Sequence, residues 1–199
     1  MSQPDGLLTV DGLALPEPWR TLLKPGETVV DKFGRTHSLP RFFYAIDSWE
    51  AAKKIRLSEH FTMAELLHVD CREARPLLET FPHYAPCAVS ILARYLELFR
   101  QKVETPVFIS VNGGYRSPAH RASQGAGPHN WGAAADIYRV GDTWLSGQKE
   151  VEKYGAIACS LASEIFAKPY GGGDGQTDDH LHIDIGYVSY VPRDCGEAR

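Results

Sequence analysis

The sequence has no run of apolar residues long enough to cross a membrane. Its longest uncharged apolar stretches cover residues 85–93 and 155–163, far short of the ~18–20 residues that a spanning helix needs. An excess of positive charge is also missing, because 21 Lys and Arg residues stand against 25 Asp and Glu residues and give a net charge of −4. We therefore expect neither a membrane span nor a nucleic-acid partner.

Cysteine is scarce and widely spaced. The four cysteines, Cys71, Cys87, Cys159 and Cys195, contain no CxxC pair, which argues against a metal knuckle built from such pairs. Residues 1–6 lack the basic segment, the apolar segment and the cleavage site of a signal peptide. These features predict mostly reduced thiols and a cytoplasmic location, unless a leader has been removed or export is indirect.

The chain of 199 residues has the size of one domain with an extension. Its composition, with 43% hydrophobic and 23% charged residues, is that of an ordinary globular protein. The N-terminal part is dense in proline and glycine and offers only short apolar pieces, at residues 7–10 and 42–46. We predict an irregular, partly β extension over residues 1–56 and one domain over residues 57–199.

Residues 57–199 carry helix signals first and strand signals later. Thr62 and Glu65 form a capping box, and Ser117 followed by Pro118 predicts the start of a short helix. Apolar residues spaced by three and four predict long helices, whereas β-branched and aromatic runs predict strands. The long helices fall at about 85–103 and 150–166, and the strands at 107–111, 133–138 and 181–185. This order predicts an α+β fold with a mainly antiparallel sheet flanked by helices.

Histidines and carboxylates concentrate in two short segments of the second half. Because side chains alternate along a strand, His180, His182 and Asp184 share one face. A neighbouring strand can aim Asp136 at the same point, and His129 can approach from the loop before that strand. Two imidazoles and one carboxylate are the usual ligands of catalytic zinc, which keeps a fourth position for water. The sequence therefore predicts a metal site of this kind.

Hydrolysis at such a site also needs a base and a group that binds the substrate carbonyl. Asp179 lies three residues before His182, where a carboxylate can act as general base without binding the metal. Arg116 follows the predicted strand at 107–111, and a cation there can stabilise a tetrahedral intermediate. Asp184 is predicted to support the site from outside the ligand set. The other histidines, His37, His60, His68, His83 and His120, are predicted to be structural.

At these residues the chain resembles the zinc D-alanyl-D-alanine carboxypeptidase family, the M-fifteen peptidases. That family includes D,D-dipeptidases and phage L-alanyl-D-glutamate endopeptidases. Its SxHxxGxAxD motif and its D/E-x-x-H strand are matched here by His129, Gly132, Ala134 and Asp136 and by Asp179 and His182. The segment 115–117 resembles the arginine segment of the family, and residues 60–66 resemble the opening of one branch. The resemblance covers about residues 57–188.

The resemblance implies a hedgehog/D,D-peptidase-like fold and a peptidoglycan-derived peptide as substrate. It implies that one Zn²⁺ ion is bound by His129, Asp136 and His182. It also implies that Asp179 is the general base, that Arg116 holds the substrate carbonyl or the oxyanion, and that His180 is a donor near the intermediate. The implied reaction is that of a zinc metallopeptidase with D-Ala-D-Ala carboxypeptidase chemistry.

Two features depart from the family pattern. Gly127 stands where the family has a serine, and residues 1–56 match no part of it. The same fold occurs in the signalling domain of hedgehog proteins, which keep zinc without established peptidase turnover, so fold and ligands alone do not imply catalysis. Two alternatives to the carboxypeptidase therefore stay open: a phage-type L-Ala-D-Glu endopeptidase and a zinc-containing, non-catalytic binding module.

Overall fold

The structure is a computed structural model, which describes residues 7–72, 76–111, 113–123, 127–171 and 179–193. In these ranges the strands are β1 (Leu8–Asp11), β2 (Thr28–Val30), β3 (Thr36–Ser38), β4 (Phe42–Ile46), β5 (His83–Pro86), β6 (Val107–Phe108), β7 (Ala134–Ile137), β8 (Arg139–Val140), β9 (Thr143–Trp144), β10 (Phe166–Ala167) and β11 (Leu181–Asp184). The helices are α1 (Glu17–Leu23), α2 (Trp49–Lys54), α3 (Met63–Leu67), α4 (Val89–Val103) and α5 (Gln148–Cys159).

The strands form small sheets in which every described pairing is antiparallel. Three sheets have three strands each, in the orders β1-β4-β5, β10-β11-β7 and β6-β8-β9, and β2 and β3 form a hairpin. The predicted combination of helices and antiparallel sheet is thereby confirmed. Among the described helices, none combines the length and apolar character that crossing a bilayer requires.

The N-terminal segment shares a sheet and a core with the rest of the chain. Strand β4 pairs with β5 from Phe43 opposite Pro86 to Ile46 opposite His83, and Ile46 is buried in the same apolar cluster as Leu92 of α4. This segment also contains α1 and α2, which the sequence analysis did not predict. Helix α2 begins after a serine, Ser48, whose side chain accepts the N–H of Ala51 and caps the helix.

Two predicted helices have different bounds in the structure. The helix expected at 85–103 begins only at Val89, because residues up to Pro86 belong to β5. Proline disfavours helical backbone in the residue before it, and β5 lies at a sheet edge, where proline is tolerated. The helix expected at 150–166 begins at Gln148 and ends at Cys159, since Phe166 pairs with Asp184 in a strand.

The short helix expected after Ser117 is absent, and residues 118–122 form turns instead. The Ser117 hydroxyl donates to Asp70, and the N–H of His120, which a cap would bind, donates to the Ser117 carbonyl oxygen instead of the hydroxyl. The strand expected at 107–111 is only Val107–Phe108. Cys71, Cys87 and Cys159 are free thiols, as expected, and Cys195 lies outside the described residues.

Helix α4 and the strands β7 and β11 create the surroundings of the predicted metal site. The apolar face of α4 is fully buried, and it supports the segment that precedes β7 through Val89. Strands β7 and β11 pair so that Asp136 stands directly opposite His182. Burial of both strands places these two polar side chains where bulk water is largely excluded.

Candidate metal centre

Three different elements present the predicted ligands. Asp136 and His182 come from the paired strands β7 and β11, and His129 comes from a 3-10 turn, Pro128–Trp131, that precedes β7. Gly132 ends this turn with a φ of +66°. A Cβ at Gly132 would lie 2.6 Å from Val89 Cγ1, so both the backbone angle and the close packing require glycine.

The three predicted ligands converge on one point. His129 Nε2 lies 3.2 Å from His182 Nδ1 and 3.2 Å from Asp136 Oδ1, and the His182 Nδ1 to Asp136 Oδ1 distance is 2.9 Å. A tetrahedral zinc site with bonds of ~2.0–2.1 Å has ligand atoms about 3.3–3.4 Å apart. The three atoms therefore have nearly the separations that a bound zinc ion requires, and the group fits the metal.

Hydrogen bonds on the outer side fix which nitrogen of each ring faces inward. His129 Nδ1 lies 2.6 Å from the carbonyl oxygen of Gly114, and His182 Nε2 lies 3.0 Å from Asp184 Oδ2. Because these partners only accept hydrogen bonds, each outer nitrogen carries the proton and donates. When each ring is neutral, its inner nitrogen keeps a lone pair, which is the form that binds a metal.

Burial and the shared carboxylate set the charges of the site. Asp136 is 2% exposed, and although burial raises its pKa, the charges and hydrogen bonds of His129 and His182 hold the pKa well below its usual range. Burial lowers the pKa of His129 despite the nearby carboxylate. Burial also acts to lower the pKa of His182, but bonds to Asp136 and Asp184 outweigh it and raise the pKa to about 9.

Arg116 and His180 lie directly beside the predicted ligand Asp136, whereas Asp179 lies beside His180. Arg116 Nη2 donates to Asp136 Oδ2, the oxygen that does not face the imidazoles. His180 Nε2 lies 3.5 Å from Asp136 Oδ1, and its Nδ1 lies 2.7 Å from Asp179 Oδ1. The Asp179 side chain is 74% exposed, so its carboxylate meets the site through His180. The structure thus gathers all six predicted site residues: four of them lie directly around Asp136, and Asp179 reaches the group through His180.

A second group of possible ligands differs from the first in its hydrogen bonds. It consists of Glu59, His60 and Glu97. Glu97 accepts hydrogen bonds from Ser58 Oγ and from His60 N, and His60 Nδ1 lies 2.7 Å from its other oxygen. Protein donors already occupy both carboxylate oxygens. This group is accounted for as a hydrogen-bonded anchor that holds residues 58–60 against α4.

Two supports of the site were not predicted from the sequence. One is the Gly114 carbonyl, which is a backbone atom and leaves no signal in the residue types. The other is the β2–β3 hairpin: the His37 ring stacks on Tyr187 at 3.7 Å between centroids, and Trp131 Nε1 donates to the carbonyl oxygen of Ser38. Trp131 follows the candidate ligand His129 closely, so the N-terminal hairpin packs directly behind the candidate metal centre.

Comparison with known proteins adds no relative: no family model, curated protein or solved structure matches the chain. The interpretation of this site therefore depends on its geometry and on the motifs in the sequence.

Proposed function

We propose that the chain is a zinc metallopeptidase that hydrolyses peptidoglycan-type peptides, with D-Ala-D-Ala carboxypeptidase chemistry as the first choice. The convergence of His129 Nε2, His182 Nδ1 and Asp136 Oδ1 carries this proposal. Three protein ligands rather than four are typical of catalytic zinc sites, which need one position for water or substrate. Bound zinc supplies a Lewis acid that polarises a carbonyl and lowers the pKa of water to roughly 7.

Arg116 has two roles in this proposal. Its bond to Asp136 Oδ2 turns Oδ1 of the same carboxylate toward the imidazoles. We also assign its guanidinium to the carbonyl oxygen of the scissile peptide, where negative charge develops during hydrolysis. Preorganised cations at such a position lower the barrier because they need no reorganisation as the charge forms.

Proton transfer is assigned to Asp179 and His180 together. Peptide hydrolysis forms a C–O bond from water to the carbonyl carbon, breaks the C–N bond and delivers a proton to the leaving nitrogen. His180 Nε2 is the nearer atom to the ligands, and Asp179 orients the ring through Nδ1. Asp179, which the sequence predicted as the general base, is thus assigned to act through His180. General acid–base groups of this kind contribute about 10²–10⁴-fold in rate.

The second candidate is a zinc-containing binding module of the same type without turnover. Gly127, which stands where the family has a serine, favours it, because one family side chain near the first ligand is missing. A phage-type endopeptidase that cuts L-Ala-D-Glu bonds uses the same ligands and differs in its substrate. The bond that is cut, if any, separates these three possibilities.

The test is incubation of the zinc-loaded chain with two defined peptides, one ending in D-Ala-D-Ala and one muropeptide with an L-Ala-D-Glu bond, followed by mass spectrometry. We expect release of D-Ala from the first. Cleavage of the second alone would assign the endopeptidase. If neither peptide is cut but one of them binds the zinc-loaded protein, the binding module replaces the peptidase.

Matched variants test the assigned residues. Asp179→Asn and His180→Gln are expected to keep zinc and to lower kcat/KM by about 10²–10⁴-fold. His60→Gln changes a histidine–carboxylate pair away from the candidate ligands and is expected to leave kcat/KM unchanged. Wild-type turnover in both Asp179→Asn and His180→Gln would remove this pair from the mechanism.

A further inference from the structure

Asp184 is held at both of its carboxylate oxygens. Oδ2 lies 3.0 Å from His182 Nε2, and Oδ1 accepts the backbone N–H of Gly186 at 2.8 Å. The side chain is 11% exposed, so few water molecules can replace these partners. Rotation of the carboxylate away from the imidazole therefore costs a hydrogen bond in a largely dry environment.

Gly186 can donate to Asp184 because the chain turns directly after β11. Its φ of +79° lies in the left-handed region, which residues with a Cβ adopt only with strain. A Cβ built at Gly186 would have no atom within 4 Å. The backbone angle, and not a lack of space, therefore favours glycine at this position.

The two ligand imidazoles present opposite nitrogens to the centre. His129 faces inward with Nε2 and donates from Nδ1 to the Gly114 carbonyl, whereas His182 faces inward with Nδ1 and donates from Nε2 to Asp184. Both rings can in principle bind a metal through either nitrogen. The acceptor on the outer side decides which nitrogen keeps its proton and which one offers a lone pair.

We propose that Asp184 is a positioning residue which, held by the Gly186 N–H, commits His182 to bind zinc through Nδ1. This inference rests on the metal centre of the proposed function, but it does not depend on peptide turnover. Loss of an outer hydrogen-bond partner of a metal ligand typically weakens metal binding by about 10–100-fold.

Zinc affinity, measured by competition with a chromogenic chelator, tests the role of Asp184. Asp184→Ala is expected to bind zinc about 10–100-fold more weakly than the wild type. Asp184→Asn is expected to lose less, because its amide oxygen still accepts the Nε2 proton of His182. Wild-type zinc affinity in Asp184→Ala would overturn the proposal.

Long-range ¹H–¹⁵N NMR spectra of the zinc-loaded protein, with ¹⁵N in the histidine rings, test the choice of nitrogen directly. We expect metal-bound Nδ1 and protonated Nε2 for His182, and the reverse for His129. This readout uses the unmodified chain, so it stands even where a variant fails to fold. Zinc bound to His182 through Nε2 would contradict the proposal.

Gly186→Ala and Gly26→Ala separate positioning from stability. Gly26 has a φ of +74° and also has open space around a built Cβ, but it lies in the turn between α1 and β2. We expect a similar fall in Tm for both variants and weaker zinc binding only for Gly186→Ala. Equal zinc affinity in the two variants would count against the role of the Gly186 N–H.

The outcomes distinguish this inference from the proposed function. If the wild type binds zinc through His182 Nδ1 but cleaves no peptide, the peptidase proposal fails and this inference stands. If it cleaves peptides while Asp184→Ala binds zinc normally, only this inference fails. A wild type that binds no zinc overturns both.

Discussion

Two buried aspartates, Asp70 and Asp136, each lie within hydrogen-bonding distance of histidine, but the two differ in their hydrogen-bond partners. Asp70 accepts the N–H and the hydroxyl of Ser117, at 2.7 Å and 2.9 Å, and lies 3.0 Å from His83 Nε2. Asp136 lies instead among imidazoles whose outer nitrogens already donate elsewhere. In the first cluster each carboxylate oxygen meets a protein donor, whereas in the second the inner nitrogens of two imidazoles converge on one oxygen of the carboxylate.

The comparison shows that residue types alone do not identify a metal centre. Both clusters contain a buried aspartate beside histidine, although the histidine at Asp70 is buried and the two at Asp136 are partly exposed. At Asp70 each carboxylate oxygen has a protein donor, so this carboxylate is satisfied without a cation. At Asp136 the inner atoms His129 Nε2 and His182 Nδ1 lie 3.2 Å and 2.9 Å from the same carboxylate oxygen, a geometry that a divalent cation would complete.

The largest effect is expected from the loss of a ligand. His129→Ala should reduce bound zinc from one ion per chain to none under conditions that saturate the wild type, since a ligand contributes more than the ~10–100-fold of an outer partner. Metal content after gel filtration measures this directly. Full zinc content in His129→Ala would exclude this residue as a ligand.

Loss of Asp70 should instead lower stability and leave zinc affinity unchanged. Asp70→Ala is expected to lower the free energy of unfolding by about 3–5 kcal/mol, because it removes the partner of a buried charged pair. Zinc affinity of the folded fraction should stay within twofold of the wild type. Urea unfolding with and without zinc separates the two quantities, and loss of zinc binding without loss of stability would invalidate the comparison.

Zinc itself should stabilise the fold through the Asp136 centre. A ligand that binds only the folded state at a free concentration 100 times its Kd adds about 2.7 kcal/mol. The expected rise in Tm with zinc should be absent in His129→Ala and present in His60→Gln. An equal rise in all three proteins would place the stabilising ion elsewhere.

The pH dependence of stability tests the contribution of the His83–Asp70 pair. Burial acts to lower the pKa of His83, but its bonds to Asp70 and Cys71 outweigh burial and raise the pKa to about 10. The stability from this pair is complete below the unfolded-state value of about 6.5 and is lost as the pH rises to about 10, at most about 1.4 kcal/mol per pH unit. Urea unfolding at pH 7 and pH 9 should show a smaller decrease for His83→Gln than for the wild type.

The smallest effect is expected at Gly127. Its φ of −134° suits any residue, and a Cβ there would meet no atom within 4 Å. Gly127→Ser should therefore leave Tm and zinc affinity unchanged. An increase in peptide turnover would show that the missing serine side chain limits turnover in this chain. A loss of zinc binding would contradict the open space around a Cβ at this position.

The grouping of Asp136 with His182 was predictable because it depends on simple periodicity. Alternation along a strand placed His182 and Asp184 on one face, and the antiparallel pairing of β7 with β11 brought Asp136 opposite His182. The route of Asp179 through His180 could not be predicted, since it depends on the rotamer of an exposed side chain.

Tertiary contacts explain the errors in local structure. Ser117 has the sequence of a helix cap, but Asp70, which is distant in sequence, takes its hydroxyl. Pro86 occupies the end of an edge strand because β4 offers a partner for residues 83–86. At Ser117 a long-range hydrogen bond outweighs a local preference, and no local pattern reveals its existence. At Pro86 the pairing with β4 agrees with the extended backbone that proline favours in the residue before it.

The central claim is most directly tested by anomalous diffraction at the zinc edge from crystals of the zinc-loaded protein. We predict one peak at ~2.0–2.2 Å from His129 Nε2, His182 Nδ1 and a carboxylate oxygen of Asp136, with a solvent molecule as the remaining ligand. A peak whose coordination is closed by a fourth protein atom, or a peak found beside Glu97 and His60 instead, would contradict the account.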